Sequence, residues 1–404
     1  MKFVRLRHSP YGSGLVGVGN RYASVRPSER ILFIVGEYPP LVGGVGDHVV
    51  KLGAELESMG FSCHVGTESR SKNDSGQRVH GINCSVPFRS VVEIVGLIRR
   101  VRPTVVHFHH QAGAYSRPSE TMVAMSLLRW TGLVPFLAVT FHDLSEPYLF
   151  PKAGRIRAML LGRLARVADA LIYVDELDRR VLRARCGDSL NDYWIPAGPT
   201  IEPAPDVGNR DLARMDLGLS TDAFIVGYFG FRQPSKGVCV LAEAMRNEDL
   251  LQPGTRLALI GASGPGTNPR RAELVVSPDV FREIDVVESG PQSGLGVSRW
   301  ITACDVIVLP FLDGLSARRG SFMNAVAHGI PVVTTVPKVA GSVNVHEDEV
   351  AFIPANDVGA LVRTLVEIRD NRARRVQLAE GSRAIAARHT WTEIASQTRV
   401  AYGL

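Results

Sequence analysis

The chain has 404 residues, 45% of them hydrophobic and 21% charged, with a formal net charge of +6. These figures exclude wholesale disorder, a collagen-like repeat and a small disulfide scaffold, and the length suits two or three domains of roughly 100–200 residues. The mild basic excess permits an anionic partner, and no apolar run approaches the ~20 residues that cross a bilayer.

Residues 1–29 hold Lys2, Arg5, Arg7, Arg21 and Arg26 with no acid before Glu29 and no apolar signal-peptide core, so they read as a disordered basic tail. Ile31–Val35 is a continuous apolar run, the mark of a strand buried on both faces. A loop over Gly36–Gly46 follows, then a helix over Asp47–Met59 closed by Gly60, and a strand over Ser62–Gly66. Helices over Val91–Arg100, Ser119–Trp130 and Ile156–Ala168 alternate with strands over Thr104–Phe108, Phe136–Phe141 and Ala170–Val174. Pro196, Pro199, Pro203 and Pro205 stiffen a connector between Ile195 and Gly208.

The alternation then restarts. Strands are expected over Phe224–Tyr228, Arg256–Ile260, Asp285–Glu288, Val306–Leu309 and Pro331–Thr334. Helices are expected over Val238–Met245, Leu295–Ala303, Ser321–His328, Val358–Arg369, Arg372–His389 and Trp391–Tyr402. The pattern predicts an α/β protein of two Rossmann-like, doubly wound domains facing a central cleft. The expected divisions are residues 30–195, residues 196–385, and a last helix in 386–404. Ligands of such domains bind at the carboxyl ends of the strands.

The five cysteines lie far apart and form no CxxC, which points to free thiols in a reducing compartment. Basic residues are dispersed rather than interleaved with aromatics, which argues against nucleic acid. Among polar residues at strand ends, Gly43, Gly44 and Gly46 offer backbone amides at a helix start, where an anion can approach. Arg232 and Lys236 lie on a Gly/Pro-rich loop after a strand and suit a diphosphate. Ser316, Arg318, Arg319, Gly320 and Ser321 make a second anion cradle, with Ser321 as the expected N-cap, and Gly261 ends a strand on the same rim. His107, His109 and His110 end one strand and His142-Asp143 the next. No separate third metal ligand is identifiable, so no metal site is expected. His142 is placed to contact substrate, with Glu37, Asp143 and Glu146 as nearby acids.

Taken together, these residues resemble the family-4 retaining glycosyltransferases of the GT-B fold. The matching segments are Ile31-Leu-Phe-Ile-Val-Gly-Glu-Tyr-Pro-Pro with Gly43-Gly-Val-Gly, Val105-Val-His-Phe-His, Val139-Thr-Phe-His-Asp, Gly230 through Gly237, and Asn324-Ala-Val-Ala-His-Gly-Ile-Pro-Val-Val. The resemblance implies hexosyl transfer with retention from a nucleotide-diphosphate sugar to a polysaccharide, lipid-linked or small-molecule acceptor. It implies no cofactor and no metal, a cytoplasmic place of work at the inner face of the membrane, and a role in cell-surface polysaccharide synthesis. It makes His142, Arg232 and Lys236 the catalytic set. Gly43, Gly44, Gly46, Gly230, Gly261, Ser316, Arg318, Arg319, Gly320, Ser321 and Asn324 then join Arg232 and Lys236 on the donor, and Glu37, His109, Asp143 and Glu146 face the acceptor. Ser316 and Asn324 stand where the family commonly has two glutamates. A nucleotide-sugar epimerase and an inactive sugar-nucleotide binder are the alternatives.

Overall fold

The computed structural model describes residues 29–41, 43–68, 78–83, 88–144, 154–187, 190–207, 209–261 and 276–404. The expected tail, Glu146, and the loop beyond Gly261 fall outside these residues or nearly so.

The first sheet has seven parallel strands. They are β1 (Arg30–Val35), β2 (Ser62–Thr67), β3 (Arg78–Gly81), β4 (Val105–Gln111), β5 (Leu137–Asp143), β6 (Ala170–Tyr173) and β7 (Asp192–Trp194). Their order is β3-β2-β1-β4-β5-β6-β7. Helices α1 (Gly44–Ser58), α2 (Arg89–Val101), α3 (Pro118–Trp130), α4 (Gly154–Val167) and α5 (Glu176–Cys186) connect them. Ile31–Val35 is at most 1% exposed because both faces of the sheet are covered. One face packs on α2, α3 and α4 through Ile94, Met125 and Leu164, and the other on α1 through Val49 and Leu52.

The second sheet has six parallel strands in the order β10-β9-β8-β11-β12-β13. After α6 (Arg210–Leu217) they are β8 (Phe224–Phe229), β9 (Thr255–Ile260), β10 (Val286–Gly290), β11 (Val306–Leu309), β12 (Val332–Thr335) and β13 (Ala351–Ile353). Their helices are α7 (Val238–Met245), α8 (Gly294–Thr302), α9 (Gly320–Ala327), α10 (Val358–Asp370) and α11 (Arg372–Ala387). In each sheet the order reverses beside the first strand, between β1 and β4 and between β8 and β11. Such switch points open a crevice at the carboxyl ends of the strands.

The last helix, α12 (Trp391–Ala401), joins the core of the first sheet through Trp391, Ile394 and Tyr402. The connector is pinned from both sides. Trp391 Nε1 donates to Pro199 O at 2.6 Å, while Asn324 Oδ1 accepts from Thr200 N and Ile201 N at 2.9 and 3.0 Å.

Two boundaries differ from the sequence reading in ways that matter. Helix α1 starts at Gly44, so Gly44 and Gly46 lie in its first turn rather than in a loop. Helix α9 starts at Gly320 after Arg319, so Ser321 sits inside the helix and does not cap it. Among the described residues no helix is long and apolar enough to cross a membrane.

Candidate active site

The wall of the cleft on the first domain is built from imidazoles. His107 and His109 alternate on β4 and share one face, as two residues apart on a strand must. His107 is held on both sides, Nδ1 at 2.7 Å from the Tyr402 hydroxyl and Nε2 at 2.7 Å from Thr140 Oγ1. His109 Nδ1 lies 3.0 Å from His142 Nε2. His48, on α1, meets His142 edge-on at 4.9 Å and Trp391 at 5.1 Å between ring centroids. All four rings are at most 8% exposed. Burial lowers His48 to about 4 and His107 to about 3, and carries His109 and His142 well below the ordinary imidazole range. At neutral pH this wall is therefore uncharged, and His142 contributes a neutral ring.

One nitrogen from each of His48, His109 and His142 lies within 4.8 Å of the others, so the expectation of no metal cluster meets a three-histidine group. His48 is the third histidine, which sequence reading lacked. The two inner rings hydrogen-bond each other, and binding an ion would have to part them.

Glu37 does not face an acceptor. Its Oε1 accepts from Val45 N at 3.4 Å, and a Cβ built at Gly43 would fall 2.1 Å from that oxygen. The carboxylate thus takes the anion position at the start of α1, where a helix dipole favours it. A Cβ at Gly46 would press on the Glu37 and Tyr38 backbone, whereas one at Gly44 would have no heavy atom within 4 Å. Of Gly43, Gly44 and Gly46, Gly44 alone has open space in front of it.

The opposing wall carries charge. Gly237 has φ +71 and a Cβ there would sit 1.8 Å from Pro310 O, so the loop after β8 can turn only through glycine. That turn brings Lys236 over the Phe311 ring at 5.4 Å, and Arg319 stacks on the same ring at 4.4 Å. A Cβ at Gly230 would lie 3.9 Å from Ser321 Cβ. The two cradles expected from sequence therefore converge, on an aromatic ring that sequence reading passed over. Arg319 also pairs with Asp313.

Three expected donor residues are otherwise engaged. Arg232 is 4% exposed, forms a bidentate pair with Glu288 at 2.9 and 3.0 Å, and lies over Phe281. Its guanidinium holds the loop to β10 and is not presented to the cleft, which corrects its assignment to the catalytic set. Asn324 is 3% exposed and grips the connector backbone rather than facing a ligand. Arg318 reaches across the cleft to Asp143, with Asp175 and Asp178 at 3.5 and 3.6 Å. Asp143, expected on the acceptor, is thus paired. Burial, with Asp143 and Asp175 beside it, pushes the Asp178 carboxyl up to about 7 against the pull of Arg318. Ser316 Oγ is buried with no hydrogen-bond partner. Gly261 has φ +103 and its amide donates to Ser289 Oγ at 2.9 Å, on the far rim.

His48, Phe311, Asp175 and Asp178 are the site residues that sequence reading missed. His48 falls on the buried stripe of α1 with Val45, Val49 and Leu52, a polar residue in a run of apolar ones. Asp175 caps α5 through Leu177 N at 2.8 Å, an Asp directly after an apolar strand, which is a readable helix start.

Residues 42–194 match the family described as Glycosyltransferase Family 4, and residues 223–371 match Glycosyl transferases group 1. Relatives are named D-inositol 3-phosphate glycosyltransferase. That of Stackebrandtia nassauensis is 30% identical over 211 residues, 48% of this chain and 45% of its own. That of Salinispora arenicola is 30% identical over 268 residues, 59% of this chain and 57% of its own. The chain spans about half the length of these two relatives. Among solved structures, sucrose-phosphate synthase from Thermosynechococcus elongatus superposes with a TM-score of 0.73 at 21% identity, covering 93% of this chain and 98% of that one. Anabaena HepE in complex with UDP-glucose gives 0.70 at 15% identity, covering 92% and 99%. The two family matches fall one on each parallel sheet, and the chain belongs to the family 4, group 1 glycosyltransferases of the GT-B fold.

Proposed function

We propose that this chain transfers a sugar from a nucleotide-diphosphate sugar to an acceptor, with retention and without a metal. The observation that carries the reading is the meeting of Lys236 and Arg319 on Phe311 beside the start of α9. Two cations and helix amides there would balance the charge that grows on a leaving diphosphate, and such preorganised electrostatics is usually the largest catalytic contribution. Neutral His142 would hydrogen-bond a sugar hydroxyl, and the rings behind it keep it in place. Front-face transfer then needs no nucleophile from the protein. HepE, solved with UDP-glucose, makes a uridine diphosphate sugar the first donor to try. The acceptor would enter on the first domain, as a small molecule, a polysaccharide or a lipid-linked chain. The reading includes a cytoplasmic place of work at the inner face of the membrane, which the unpaired Cys63, Cys186, Cys239 and Cys304 suit.

The test is calorimetry with a panel of nucleotide sugars on the wild-type chain and on Lys236→Ala. One donor should bind, and the variant should weaken it about tenfold or more. Equal affinity in both proteins sinks the diphosphate site. Binding without transfer to any acceptor favours an inactive binder, for which Ser316 in place of a charged residue speaks, and rearrangement of the donor alone favours an epimerase.

A further inference from the structure

We infer that the outer surface of α2, α3 and α4 docks on an anionic lipid surface, which rests on the membrane contact in the function proposed above and assigns it to one face. These helices lie side by side over one face of the first sheet. Their inner flanks are core, so their outer stripes should be polar and of mixed sign.

They are neither. The exposed stripe of α3 is Ser119, Val123, Leu127 and Trp130, spaced by three or four residues. That of α4 is Ile156, Met159, Arg163 and Arg166. Phe88 and Val92 lead into the stripe of α2, which ends in Arg99 and Arg100. Across the described residues, six large apolar side chains are more than 60% exposed, and five of them lie here: Trp130, Phe88, Val92, Met159 and Ile156. That concentration is not what scattered surface apolars produce. The sixth, Met215, is on α6 of the other domain.

The charge on this layer is mostly of one sign: Glu93 and Glu120 are the acids of α2 and α3, each beside an arginine, against Arg89, Arg99, Arg100, Arg129 and the arginines of α4. Helix α4 carries Arg155, Arg157, Arg163 and Arg166 and no acid, and none of the four forms an ion pair among the described residues. By contrast the exposed stripe of α10 is Gly359, Arg363, Glu367 and Asp370, an ordinary solvated face. Exposed apolar side chains between unpaired arginines fit the headgroup zone of an acidic bilayer: guanidiniums meet phosphates while the apolar groups enter the acyl boundary. The orientation is useful. Helices α3 and α4 begin after β4 and β5, and α2 ends before β4, so Phe88, Val92, Ile156 and Met159 sit at the cleft end of the layer. A docked enzyme would hold the mouth of its cleft against the lipid, where a lipid-linked acceptor is presented.

Flotation of the full chain with vesicles tests this, one set of phosphatidylcholine alone and one with a quarter phosphatidylglycerol. Binding should require phosphatidylglycerol and fall in high salt. Arg163→Glu with Arg166→Glu should weaken it about tenfold or more, and Trp130→Ser severalfold. Met215→Ser should leave it unchanged. All the substituted side chains are exposed and outside the cleft, so melting temperature and nucleotide-sugar affinity should hold in every variant. Equal binding to both vesicle sets, no binding to either, or full binding by the arginine variant overturns the inference. If acidic vesicles bind as expected but no nucleotide sugar does, the docking face survives and the transferase reading fails.

Discussion

The two walls of the cleft solve different problems. The first-domain wall is four buried, neutral imidazoles braced by Tyr402 and Trp391 of the crossing helix. The second-domain wall is loop and helix start, with Lys236 and Arg319 sharing Phe311. A packed neutral wall can place hydrogen bonds on sugar hydroxyls and exclude water, but it cannot offset a diphosphate. A cationic loop can, and its shape rests on Gly237 and on the Arg232–Glu288 pair rather than on a core. On the proposed reading, recognition of the sugar and handling of the leaving group would be separated across the connector, and closure of the domains would bring them together.

Arg319→Ala gives the largest expected effect and the sharpest division. If the charged wall acts on the transition state, kcat should fall about 10²–10³-fold with a smaller change in donor KM. His142→Ala should instead spread its loss over both constants, because a sugar hydroxyl is bound in the ground state as well. Steady-state kinetics on the two variants checks this, and matching profiles would erase the distinction between the walls.

Much of this was legible in the sequence, for physical reasons. Strands buried on both faces are plain apolar runs, and β11 falls where expected. The missed elements are short or shallow: α6 has eight residues, and β13 is buried but only three residues long. Helix α5 buries only Asp178 and Leu182, so it shows no apolar period, and β3 and β7 are short edge strands that are half exposed. In the site, glycines and cations at strand ends could be read because fold position gives them meaning. Pairings could not. Arg232 meets Glu288, Asn324 meets Thr200, and Arg318 meets Asp143 across 56, 124 and 175 residues of chain. Each of those cations or amides looked available because its partner is remote in sequence.

Acid separates the walls next. His48 and His107 are held at about 4 and about 3 against an ordinary value of 6.5. The unfolded chain then binds more protons than the folded one below pH 6.5. Stability is complete above that pH and is lost as pH falls toward 4. Thermal melts should show a steep drop over this window. His48→Leu removes one such base, and its Nδ1 has no hydrogen-bond partner to lose. The variant should move the acid midpoint to lower pH while changing the melting temperature at pH 7.5 by only a few degrees. An unchanged acid limb would mean that the imidazole wall does not set acid stability.

The contact between the walls should give the smallest effect. Arg318 comes from the charged side and meets Asp143, Asp175 and Asp178 on the other. Three acids exceed one guanidinium, and the buried Asp178 holds its proton up to about 7 against an ordinary 3.8. Here the sign is opposite to that of the histidines. The folded state binds the extra proton, so this stabilisation is complete below 3.8, shrinks steadily as pH rises and is gone above about 7. Asp178→Asn keeps an acceptor for Leu144 N, which lies 3.3 Å from Asp178 Oδ2, and stays neutral at every pH. The variant should match wild type near pH 4.5 and melt a few degrees higher at pH 7 and above. Arg318→Ala should widen that gap, because the remaining acids then lose the guanidinium that reaches them from the opposite wall. A constant difference between pH 4.5 and pH 7 would show that Asp178 is ionised throughout, and that the walls meet through a plain ion pair with no proton in it.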